Sequence, residues 1–200
     1  MRPSLALLST LLLLPLSAQA LSKVEIEDLA HHPLVADFPS GGELALHIRS
    51  AEIHIVGTDA NKVTVHVGGT RGEFSTDVRG RFESSGNEGS LRVVGGPSGN
   101  VSITVEIPRH ANLRLRVFAG EVNVTDIVGD KDVELGAGDL KVDVGNPADY
   151  AHVAASVTTG DLKASPFGEQ RDGLFRSFEK SGNGKYHLAA HVGAGDLVLK

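Results

Sequence analysis

From Gly42 onward, hydrophobic and polar positions alternate with a period of two. Leu44, Leu46 and Ile48 alternate with Ala45, His47 and Arg49. Ile53 and Ile55 flank His54, and Val63, Val65 and Val67 flank Thr64 and His66. Val101, Ile103, Val105 and Ile107 alternate with Ser102, Thr104 and Glu106 until Pro108 ends the run. Strict alternation rich in β-branched residues predicts strands with one buried face. The segments 57–62, 95–100 and 181–184 hold the Gly, Pro, Asn, Asp and Ser that make turns. Residues 21–41 are mixed and predict a lead-in, either extended or a short helix.

The second half repeats itself. Gly120-Glu121-Val122-Asn123-Val124 recurs as Gly138-Asp139-Leu140-Lys141-Val142, as Gly160-Asp161-Leu162-Lys163-Ala164 and as Gly195-Asp196-Leu197-Val198-Leu199. Upstream, apolar residues stand three, five and seven places before each glycine, as in Val117, Leu115 and Leu113. Lys131 is the one misfit to that template. Ala51-Glu52-Ile53-His54-Ile55 fits it with Ala in the place of Gly. The apolar phase shifts across each Gly-acid pair, which marks a corner or bulge. A strand–corner–strand unit of about 20 residues that cannot bury its own face predicts stacked repeats. Neighbours would lie about 4.8 Å apart, following one another in chain order. The predicted fold is all-β, a small single-domain β-solenoid or roll over residues 42–200. The alternative is a two-sheet β-sandwich. Residues 165–184 interrupt the repeats and carry Phe167, Phe175 and Phe178. An irregular extra unit, a hairpin or a flap would fit them, and capping the open end of the stack is the plainest role.

Composition narrows the class. Cysteine is absent, which excludes disulfides, thiol catalysis and thiolate metal sites. The net charge of -6 and few aromatics argue against nucleic acid as a partner. Residues 1–20 have the form of a secretory signal peptide: Arg2, an apolar run over 5–16, then Ala18-Gln19-Ala20 as the cleavage site. The run is short for a membrane span, and no second run of spanning length follows. The expectation is a periplasmic or secreted protein without a transmembrane segment in its mature form.

The run 101–108, then Ala111-Asn112-Leu113-Arg114-Leu115-Arg116-Val117, then the repeated Gly-acid-aliphatic units, resembles the bacterial "putative adhesin" β-strand-repeat domains of unknown function. Ile53-His54-Ile55-Val56-Gly57-Thr58 resembles their first strands. The resemblance spans about residues 38–200. It implies export, an all-β solenoid and adhesin-like binding, and it brings no catalytic residues.

No Gly-x-Ser-x-Gly elbow places a nucleophile, and segment 95–100 lacks the Lys and following helix of a phosphate loop. His47, His54, His66, His152, His187 and His191 fall on outward positions without ligand spacing, and read as surface residues. Glu121, Asp139, Asp161 and Asp196 share one repeat position, with Glu52 as a further member. Carboxylates there can accept backbone N–H groups at the corner. They are also the candidate metal ligands, with Ca²⁺ the cation that suits loosely arranged oxygens. The functional expectation is an exported non-enzymatic module that presents a polar β-face to an envelope polymer or protein. A structural or self-associating envelope protein and a carbohydrate-active enzyme are the alternatives. Cleavage after Ala20 is expected to leave Leu21 first. N-terminal sequencing of the exported protein checks this, and Met1 in that fraction would refute it.

Overall fold

The computed structural model describes residues 21–69, 78–95, 101–171 and 174–200. The expected leader over 1–20 and most of the predicted turn at 95–100 lie outside them. The alternating segments form strands β1 (Leu21–Ile26), β2 (Leu34–Asp37), β3 (Glu43–Thr58), β4 (Lys62–Gly69), β5 (Arg79–Ser85), β6 (Glu88–Val94), β7 (Val101–Pro108) and β8 (Asn112–Thr125). They continue as β9 (Lys131–Val142), β10 (Tyr150–Thr159), β11 (Leu162–Ala164), β12 (Glu169–Arg171), β13 (Leu174–Ser181), β14 (Tyr186–Ala194) and β15 (Leu197–Leu199). The fold is all-β. The lead-in supplies β1 and β2 rather than a helix.

One sheet bends into two arms. The first arm runs β1-β5-β6-β3-β8-β9-β14-β10-β13. The second runs β2-β4-β7-β3-β8-β9-β15-β11-β12. The long strands β3, β8 and β9 pass through both arms, and β14–β15 and β10–β11 do the same with a break at the corner. These five rungs are parallel and in register. The rungs stack as in a solenoid, while the inward faces of both arms share one core, as sandwich layers do. Val122, Leu140 and Leu162 point into that core, and Asn123, Lys141 and Lys163 do not.

The corner explains the recurring glycine. Gly120, Gly138, Gly195 and Gly160 lie on successive rungs with φ of 140°, 121°, 130° and 130°. A Cβ on Gly138 would collide with the carbonyl of Gly120, one on Gly195 with Gly138, and one on Gly160 with Gly195. Ala51 heads the column. It pairs with Gly120 and does not share the positive φ of the glycines, so a side chain is tolerated there.

The rungs do not stack in chain order. The last one, β14–β15, lies between β9 and β10–β11. Every rung carries the same inward pattern, so periodicity alone is blind to this exchange. The segment before it closes the end of both arms: β12 pairs antiparallel with β11, and β13 with β10. Phe178 and Phe167 stack there with ring centroids 5.6 Å apart. At the other end, Phe38 and Phe82 meet edge-to-face at 6.0 Å. Aliphatics fill most of the inward positions between.

Lys131, the misfit, is buried in the aliphatic column between Leu113 and Leu188. Its ammonium donates a hydrogen bond to the Tyr150 hydroxyl, which donates in turn to the Val144 carbonyl at 3.0 Å. Burial pulls the Lys131 amine down to about 8, against the attraction of Asp143, Asp130 and Asp149. Burial pushes the Tyr150 phenol up to about 12.

Two measurements follow from the corner and the buried amine. Gly138→Ala is expected to lower stability by more than about 3 kcal/mol, because the backbone of the adjacent rung must move. Gly145→Ala, at φ 69° with open space around it, is expected to cost about 1 kcal/mol. Equal losses in denaturant melts would refute the stacking. For Lys131, the folded state releases its proton before the unfolded state does. Its burial cost, about 3 kcal/mol at most, is complete below pH 8 and is relieved as pH rises toward 10.5. Tyr150 acts in the opposite sense above pH 10. Stability is therefore expected to rise from pH 8 to about 10 and then fall. Lys131→Met should raise the melting midpoint at pH 7 and remove the rise. A wild-type profile flat between pH 8 and 10 would contradict the desolvated amine.

Candidate ligand-binding face

The outward positions of the first arm form continuous rows, because register brings equivalent residues side by side. One row crosses all nine strands: Glu25, Arg81, Arg92, His47, Arg116, Glu134, His191, Ser156 and Ser177. Arg81 donates to Glu25 at 2.6 Å, and this pair holds the Glu25 carboxyl below the usual carboxylate range. Arg116 reaches Asp132 at 2.6 Å and Glu134 at 2.7 Å. Arg114 bridges Glu43 at 2.9 Å and Asp132 at 3.7 Å. These guanidinium groups are committed to carboxylates. Arg49 and Arg92 are exposed and make no ion pair or side-chain hydrogen bond among the described residues.

The next row toward the corner is built differently. Phe118 follows Val117 on β8 and stands 73 % exposed. Beside it, Gly136 and Gly193 lie backbone against backbone, each too close to its neighbour's carbonyl for a side chain. Missing side chains leave a trough next to the Phe118 ring. The trough and the row above it form an open groove of about 540 Å³ across β6, β3, β8, β9 and β14, lined by three arginines and one glutamate. The row also sets Ser156 beside His191, with Oγ and Nδ1 2.8 Å apart. Glu134 neighbours His191 in register but gives its carboxylate to Arg116.

The residues predicted as metal ligands form a row at the corner. Its order is Glu52, Glu121, Asp139, Asp196, Asp161, with Asp196 inside rather than at the end. Asp139, Asp161, Asp196 and Glu121 are all exposed. The Asp196 carboxylate accepts the Asp161 N–H at 3.1 Å, a link between rungs. Lys141 donates to Glu121 at 2.8 Å and holds its carboxyl below the usual range. Among the described residues no three His, Asp or Glu side chains converge as a metal cage. The groove escaped sequence reasoning, because its residues come from five separate strands. The exposed phenylalanine at an outward, otherwise polar position was the available signal.

No family model matches the chain, and no curated protein matches it. Among solved structures, a crystal structure described as a "putative cell adhesion protein" from Clostridium sporogenes is similar. It shares 14% sequence identity at a TM-score of 0.52, over 84% of this chain and 98% of that one. At that identity the likeness is one of fold. No helix among the described residues is long and apolar enough to cross a membrane.

Proposed function

We propose that this protein is an exported, non-enzymatic binding module of adhesin-like character, and that it engages its partner through the outer face of the first arm. The observation that carries this reading is the groove: an open trough on a flat face, with an exposed aromatic ring and two guanidinium groups that are uncommitted among the described residues. Flat or shallow sites suit extended partners, whereas enzymes concentrate acid and base groups in a concave cleft. Here the one glutamate of the groove is neutralised by Arg116. Among the described residues Ser156 and His191 have no orienting carboxylate, since Glu134 makes no ion pair with the imidazole. The leader of residues 1–20 supports an envelope or extracellular setting, and the adhesion-protein neighbour supports a binding role.

The test is retention on an insoluble envelope preparation from the source organism. Wild type should be retained. The Arg49→Ala/Arg92→Ala double variant should be lost to the flow-through, and Lys163→Ala, on the second arm, should behave as wild type. Equal retention of all three would refute the assignment of the face. New reducing ends on incubation with envelope glycans would establish the carbohydrate-active alternative.

A further inference from the structure

Taking that face as the binding surface, we infer that its ligand is an acidic glycan, a sugar chain bearing carboxylates. Three features of the groove converge on this class. The first is charge. The chain as a whole carries -6, yet the groove holds three arginines and a single glutamate. Arg116 is tied to Asp132 and Glu134, which leaves Arg49 and Arg92 as the groove arginines without a partner among the described residues. A guanidinium pairs with a carboxylate through two parallel hydrogen bonds.

The second feature is the Phe118 ring. It stands 73 % exposed on the solvent side of a sheet, where it contributes little to the core. An aromatic ring beside a shallow trough offers a flat apolar surface to the C–H face of a sugar. The third is the floor. Gly136 and Gly193 keep side chains off two adjacent strands, so a chain can lie close to the backbone beside Phe118. The groove crosses five strands, about 19 Å at the strand spacing, so it accommodates several linked sugars rather than one.

The same features argue against other polyanions. Nucleic acid demands many cations, and two free arginines on a net acidic protein do not supply them. An acidic peptide would satisfy the arginines and leave the ring and the glycine floor unexplained.

Calorimetric titration of the purified protein with polygalacturonate, neutral dextran, polyglutamate and single-stranded DNA tests the inference. Polygalacturonate is expected to bind with an affinity that falls as salt rises, and the other three to bind at least about tenfold more weakly. Arg49→Ala/Arg92→Ala should weaken polygalacturonate binding by about tenfold or more and flatten the salt dependence. Phe118→Ala should weaken it severalfold and leave the salt dependence in place. These residues are exposed, and unchanged melting midpoints are expected to show that the variants fold. Failure of polygalacturonate to bind, or equal binding of polyglutamate or DNA, would overturn the acidic-glycan assignment. Envelope retention with no polygalacturonate binding would refute this inference and leave the binding-module reading standing. Loss of both would remove both.

Discussion

The structure depends on backbone touching backbone at the corner. Gly120, Gly138, Gly195 and Gly160 stack so closely that no Cβ fits between successive rungs. That contact holds each rung at the same height and the same register. From register follow the inward columns of Val, Leu and Ala, the row of acids beside the glycines, and the outward rows of the first arm. A slip of one residue would turn every inward side chain out. The corner therefore sets the core and the surface together.

Glycine serves two ends in this molecule. At the corner, positive φ and close approach both require it. On the outer face, Gly136 and Gly193 have the close approach alone, and the consequence is a trough in the solvent surface. The ion pairs around it divide the arginines into two groups. Arg81, Arg114 and Arg116 neutralise neighbouring acids and stiffen the face modestly, since exposed pairs contribute little each. Arg49 and Arg92 are exposed and have no partner among the described residues.

Much of the architecture was legible in the chain. Alternation located the strands, and the common template placed Val122, Leu140 and Leu162 inside. The Phe-rich interruption was open to several readings, and the structure sets its strands β12 and β13 against the outer edges of β11 and β10. Other features depend on contacts that one-dimensional pattern does not contain. The lead-in pairs as β1 and β2 only because β5 and β4 lie beside it. Lys131 broke the template visibly, but its partner Tyr150 sits on a different rung. The groove is assembled from Arg92, Arg49, Phe118, Gly136 and Gly193, which no local spacing connects.

The exchanged position of the final rung bears on how the chain folds. Strands β14 and β15 occupy the slot between β9 and β10–β11, although they follow both in the chain. A growing chain that ends before Tyr186 exposes two open parallel edges, one on each side of that slot. Such edges are templates for wrong pairing and aggregation. Insertion of β14–β15 satisfies both at once, and the ladders it completes join residues far apart in sequence, such as Leu188 with Lys131 and Leu197 with Leu140. Contacts so far apart in sequence are expected to slow folding.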